Sequence, residues 1–162
     1  MAHEAGQPAL EACRIRFLNH SCIVLESPGA KILCDPWFEG TAFNDGWRLL
    51  VEHSHRIDAI DCDYIWLSHE HPDHFSIPTL RRLSTAKHFL YQTTRDGKVR
   101  AFLTSKGHAC SELDDGVSYT FGDIRQTLYV SDGYDSAAVV EFPDGSVFLN
   151  ANDARLEMGG NI

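Results

Sequence analysis

Apolar residues along the chain come in short alternating or continuous runs, broken at intervals by Gly, Pro, Asn and Asp. RIRFLNHSCIVLES reads as two strands around the break Asn19-His20-Ser21. KILCDPW gives a third strand after the turn Ser27-Pro28-Gly29, so the opening is predicted to be an antiparallel meander. FEGTAFNDGWRLL mixes turn formers with Phe38, Phe43 and Trp47 and predicts a long loop carrying aromatics. DYIWL, 63–67, reads as a buried strand. SIPTLRRLS then places Ile77, Leu80 and Leu83 at the spacing of a short amphipathic helix. HFLY, 88–91, predicts another strand, and DGKVRAFLTSKG a helix ended by Gly107. The last third, VSYTFGDIRQTLYV and AAVVEFPDGSVFLNAND, is strand-rich, with Pro143-Asp144-Gly145 as a hairpin turn. Strands at both ends with helices between them predict a mixed α/β sheet. Residues 1–13 are expected to be a flexible lead-in and 14–162 a single domain, since 162 residues suit one core better than two.

Charge narrows the partners. Acidic residues outnumber basic ones 23 to 14, a formal net charge of −9, and the basic residues form no block beyond Arg81-Arg82. Nucleic acid and anionic membranes are therefore poor partners, and an anionic substrate would need local help, which divalent metals can supply. The five cysteines, Cys13, Cys22, Cys34, Cys62 and Cys110, are odd in number, widely spaced and without a C-x-x-C pair. Free thiols in a reducing cytoplasm are the expectation. Cys22, Cys34 and Cys62 lie in or beside apolar strands and read as small core residues. No apolar run approaches membrane-spanning length.

The chemistry concentrates in Ser68-His69-Glu70-His71-Pro72-Asp73-His74, directly after DYIWL. Residues two apart in an extended turn point the same way, so His69 and His71 can chelate one ion. Asp73 and His74, past Pro72, can turn toward a second. Imidazole with carboxylate suits zinc, iron or manganese better than calcium or magnesium, which prefer oxygen alone. Two such ions about 3.5–4 Å apart would make a bridging hydroxide nucleophilic near neutral pH. A polar turn in which Asp73 merely caps the next helix is the plainer reading. Four ligand-type residues at the carboxyl end of a strand weigh against it.

His-x-His-x-Asp-His, here His69, His71, Asp73 and His74, resembles the signature of the metallo-β-lactamase superfamily. That resemblance implies an αββα sandwich with two divalent ions at one edge and a further Asp ligand after a later strand, which Asp153 in VFLNANDAR matches. A longer resemblance covers KILCDPWFEGTAFNDGW and DYIWLSHEHPDHFSIPTLRRL, which look like the metal domain of the CMP-N-acetylneuraminate hydroxylase family and its bacterial sugar-nucleotide hydroxylase relatives. It implies oxygen-dependent hydroxylation of a sugar-nucleotide-like or other anionic small molecule, with electrons arriving through a Rieske cluster. Asp35, before Pro36-Trp37, is then placed to orient a metal-bound histidine from behind, and Asp73 to handle protons as well as metal.

The sequence departs from both patterns. A Rieske centre needs Cys-x-His type pairs and none occurs, so a separate redox protein would have to deliver electrons. No histidine follows His108, although the superfamily draws another ligand from that stretch. His108 falls one strand too early, and Asp132 or Asp135 in YVSDGYDSAAVVE is the candidate replacement. Either would make the site richer in carboxylate and favour iron or manganese over zinc. The sequence stops soon after Asp153, so the sandwich is expected to be incomplete in its C-terminal half, with dimerisation or a second subunit covering it. His20 reads as a structural loop histidine, and His53 and His55 as part of a surface segment. Phe43 and Trp47, with Trp37 and Phe38, either wall a substrate cleft or pack the loop. Three functions follow: a dinuclear hydroxylase-like enzyme, a metal-dependent hydrolase of ester or phosphoester bonds, or a non-catalytic fragment or binding subunit.

Overall fold

The structure, a computed structural model, describes residues 13–50, 57–131 and 134–155. In chain order its strands are β1 (Arg14–Asn19), β2 (Cys22–Glu26), β3 (Lys31–Cys34), β4 (Thr41–Ala42), β5 (Trp47–Arg48), β6 (Tyr64–Trp66), β7 (His88–Gln92), β8 (Ala109–Leu113), β9 (Ser118–Phe121), β10 (Ile124–Ser131), β11 (Asp135–Glu141) and β12 (Val147–Asn150). Helices α1 (Ile77–Leu80) and α2 (Lys98–Ser105) fall between them. The first sheet runs β1-β2-β3-β6-β7-β8 and the second β12-β11-β10-β9. The opening meander is antiparallel, whereas β3, β6, β7 and β8 are parallel neighbours. Among the described residues no helix is long and apolar enough to cross a membrane.

The continuous apolar runs of the first sheet are explained by burial on both faces, as in other sheets covered on each side. Ile32, Trp66 and Leu90 point toward the second sheet, where they meet Ile124, Leu128, Ala138 and Val140. Their immediate neighbours Leu33, Ile65 and Phe89 point the other way, into a cluster with Leu80, Val99 and Leu103 from the helices. Adjacent residues thus serve two separate cores, as the two-residue period of a strand requires. The sheets are clasped at one end: the Asp123 carboxylate accepts from Ser27 Oγ and from Gly29 N at 3.0 Å. Gly122 beside it has φ of 62°, and a Cβ there would lie 2.3 Å from the Gly29 carbonyl oxygen, so only glycine permits this approach.

Three expectations need correction. The stretch predicted as one long loop contains the β4–β5 hairpin, whose tip strings together Phe43, Asn44 and Asp45 at φ of 53°, 52° and 64°. A bulky residue in the left-handed region is uncommon, so nothing in the local pattern announces that turn. ACSEL was not predicted as a strand because Ser and Glu interrupt it, yet it pairs with β7 as the edge of the sheet. The segment expected at the surface around His53 and His55 lies outside the described residues in its histidines, and its continuation buries Ile57 and Ile60 in the helix-side core. Asp132 also lies outside the described residues.

Candidate metal centre

The site is built from the carboxyl end of β6 outward. Asp35, just past β3, is fully buried, with φ of 42°. Its carboxylate accepts from Ser68 N and Ser68 Oγ, each at 2.8 Å, and from His74 Nδ1 at 3.1 Å. A buried charge is tolerated only when its acceptor capacity is met by such donors. The same bonds fix the imidazoles. Ser68 Oγ spends its one proton on Asp35, so His69 Nδ1, 2.9 Å away, must be the donor to Ser68, and this leaves His69 Nε2 bare. His74 donates Nδ1–H to Asp35 in the same way and turns Nε2 into the site. This is the arrangement in which a partner on one ring nitrogen prepares the other as a metal ligand.

The donors converge in two groups. His69, His71 and Asp153 offer one set of atoms within 4.8 Å of one another, and His20, Asp73 and His74 the other. Asp153 Oδ2 lies between the groups, 3.9 Å from His69 Nε2 and 3.6 Å from His74 Nε2. Asp135 Oδ1 stands 3.9 Å from His69 Nε2 on the same side. His20 Nε2 is 2.9 Å from Asp73 Oδ2. The β1–β2 turn, with φ of 38° at His20, brings the ring read from the sequence as a structural loop histidine against Asp73 and His74. His108 is elsewhere; its Nδ1 accepts from Lys87 N and its ring packs on Phe89.

Several observations suit divalent cations. His74 Nε2 and Asp73 Oδ1 are buried and have no hydrogen-bond partner, which is costly unless something else satisfies them. His69 Nε2 and His71 Nδ1 face one another at 2.8 Å, a hydrogen-bond distance that keeps the two rings together. Four carboxylates, Asp35, Asp73, Asp135 and Asp153, surround the imidazoles, and no Lys or Arg pairs with any of them among the described residues. Two divalent cations would bring that local charge to zero. Burial lowers the proton affinity of His74, but the Asp35 hydrogen bond and the Asp35, Asp73 and Asp153 charges outweigh it and the net shift is upward. His69 shifts downward through burial and the neighbouring His74. The thiols take no part: burial raises Cys22 and Cys34 well above the ordinary range.

The loop that follows β3 frames the open side. Trp37 and Phe38 are buried anchors: Asn19 Nδ2 donates to Trp37 O at 3.0 Å, and Thr79 Oγ1 accepts from Phe38 N at 2.8 Å. Phe43 and Trp47 instead project from the hairpin, 43% and 53% exposed. Ser136 Oγ donates to Ser68 O at 2.6 Å, which ties β11, and with it Asp135, to the histidine loop. Asp135 begins β11 and Asp153 follows β12; Asp153 was signalled by its place after the apolar VFL run, whereas Asp135 was one of two candidates in its segment. Their common feature is an Asp bounding an apolar strand.

Comparison with known proteins agrees with this geometry. Residues 14–152 match the family described as Beta-lactamase superfamily domain, and the chain belongs to that family. Its fold is accordingly the mixed α/β metallo-β-lactamase fold. Cytidine monophosphate-N-acetylneuraminic acid hydroxylase of Danio rerio is 29% identical over 161 residues, covering 91% of this chain. The chain spans 27% of that relative's length. In fold it is similar to CmlA, a diiron beta-hydroxylase from Streptomyces venezuelae, with TM-score 0.69 and 17% identity over 91% of this chain and 31% of that one. A possible metal-dependent hydrolase from Veillonella parvula gives TM-score 0.68 and 16% identity over 88% of this chain and 62% of that one. The sequence relative is named a hydroxylase, and the two solved structures show likeness of fold.

Proposed function

We propose that this chain is the metal-binding domain of a dinuclear hydroxylase acting on a sugar-nucleotide-like or other anionic small molecule. The observation that carries the reading is the placement of Asp153 Oδ2 between two ligand groups of unlike make-up. His69 and His71, with Asp135 beside them, would hold one ion. Asp73 and His74, with His20 beside them, would hold the other, and Asp153 would serve both. With Asp135 where a further histidine would otherwise stand, the set is richer in carboxylate, which favours iron or manganese over zinc. Bound there, the ions would supply Lewis acidity and, if iron, the redox capacity that oxygen-dependent hydroxylation requires.

The protein's own residues hold this arrangement ready. Asp35 and Ser68 fix the His69 and His74 rings, so their Nε2 atoms need no reorientation. Asp73, whose Oδ2 meets His20 Nε2 at 2.9 Å, would handle protons as well as hold metal. His71 and Asp153 are exposed, so the substrate approaches from their side. Electrons would reach the site from outside these 162 residues, which contain no Cys-x-His pair.

The test is elemental analysis of protein purified without chelator, with turnover measured in air and under nitrogen. About two equivalents of iron per chain and oxygen-dependent turnover are expected, with both lost in His69→Ala and Asp153→Ala. Zinc in place of iron, with anaerobic turnover of an ester or phosphoester, would establish the hydrolase reading. Less than about half an equivalent of any metal would defeat both.

A further inference from the structure

Asp35 and the histidine loop follow the carboxyl ends of β3 and β6, and at the amino ends of β7 and β8 the helix layer leaves a second opening. A cavity of about 550 Å³ lies there, between α1, α2 and the segments that lead into those two strands. Ile77, Leu80, Leu83, Phe102 and Leu103 give it a mainly aliphatic wall. Leu80 and Leu103 are buried members of the helix-side core, whereas Leu83 and Phe102 pack against that core and are only half-buried. The volume falls within the range of about 300–1,000 Å³ that holds a small organic molecule. The Phe102 ring also packs edge to face on Phe75, the residue after His74, at 5.6 Å.

The charged groups lining this cavity are of one sign. Arg81 and Lys106 line it and no carboxylate does. Arg82 donates to Glu39 at 2.7 Å, but its neighbour Arg81 has no acidic partner among the described residues. The Lys106 ammonium likewise has none, and stands 5.8 Å from the centre of the Phe102 ring. Asp58, at the Ser84 end, accepts from Ser84 N at 3.0 Å. His108 adds a neutral donor: its Nδ1 accepts from Lys87 N at 3.2 Å, which leaves the ring proton on Nε2, and burial pushes its proton affinity down. In a chain of net charge −9, two unpaired cations over an aliphatic wall are complementary to a molecule that is apolar along its length and anionic at one end.

We propose that this cavity binds a medium-chain aliphatic carboxylate, with its chain against Leu80, Leu83 and Phe102 and its carboxylate received by Arg81 and Lys106. An unbranched chain bends to follow an open wall of aliphatic side chains, which a rigid ring system does not. The site lies apart from the metal residues, and the inference does not rest on how those are read.

Titration of the isotope-labelled, metal-free full chain with sodium octanoate, followed by nuclear magnetic resonance, tests this, with octanol and acetate as the comparison ligands. Octanoate is expected to shift the amide signals of residues 83–86 and 106–108 saturably. Octanol should bind at the same place about tenfold more weakly, and acetate should leave these signals unmoved. The double variant Arg81→Ala, Lys106→Ala should weaken octanoate about tenfold and leave octanol unchanged, whereas Leu83→Ser should weaken both about fivefold. Arg81 and Lys106 are exposed, and far-UV circular dichroism verifies that the variants fold. The proposal is overturned if octanoate does not bind saturably or shifts signals elsewhere, if octanol binds as tightly, or if the double variant binds octanoate like the wild type. It is equally overturned if acetate produces the same shifts, since the site would then take an adventitious ion only. A dimer in light scattering that Leu83→Ser dissociates would also overturn it, because the cavity would then be an interface between copies.

Discussion

The two sheets furnish the site in opposite ways. On the first sheet, Asp35, Ser68, His69 and His74 are at most 1% exposed and joined by a continuous set of hydrogen bonds. On the second, Asp135 and Asp153 stand at strand ends with side chains 22% and 53% exposed, and approach His69 no closer than 3.9 Å. One half is rigid before any ion arrives. The other carries charges that nothing but an ion would draw in. Preorganised ligands lower the ordering cost of binding, while exposed carboxylates leave room for exchange and access, so the division suits a centre that must admit substrate.

This contrast can be broken most severely at Asp35. Asp35→Ala leaves Ser68 and His74 without their buried acceptor and is expected to cost about 3–5 kcal/mol in a urea titration. A change below about 1 kcal/mol would mean that the first-sheet half is not held as a unit. Chelation comes next. A ligand at a hundred times its dissociation constant stabilises by about 2.7 kcal/mol, so adding chelator to metal-loaded protein should lower the melting temperature. The shift should grow with the free metal concentration of the starting sample, and an unchanged melt would show that metal does not couple to this fold. Ser136→Ala removes the Ser136 Oγ hydrogen bond from β11 to Ser68 O in the histidine loop and should cost about 1 kcal/mol, with weakened metal retention because Asp135 loses its register with His69. Asp153→Ala should have the smallest effect on stability, within about 0.5 kcal/mol for the metal-free protein, while elemental analysis shows the largest fall in bound metal. A large stability loss in that variant would erase the distinction between the halves.

What could be read locally follows the same division. SHEHPDH announced four candidate ligands because they are close in sequence, and a single turn after one strand brings them together. Asp35 was legible through the DPW turn and Asp153 through its position after VFL. His20 was not, because a lone loop histidine carries no pattern, and only the meander of β1 and β2 against β3 brings it to Asp73. Asp135 was one of two candidates in its segment, and β11 pairing together with the Ser136 bond to Ser68 O gives it a place beside His69. Strands β2, β3, β6 and β7 were legible because burial on both faces demands largely unbroken apolar runs. The edge strand β8 was not, because an edge may carry polar residues without cost.

By itself the sequence determined the apolar runs that make the first sheet, the dense histidine turn at its edge and the acidic balance of the chain. These are properties of neighbouring residues and need no knowledge of what packs where. Tertiary structure alone decided that Asp153 lies between His69 and His74, that His20 joins Asp73, and that Phe43 and Trp47 stay exposed while Trp37 and Phe38 are buried. Each of those depends on the meeting of segments far apart in the chain. Such meetings are set by sheet register and the closing of two cores, which no local spacing encodes.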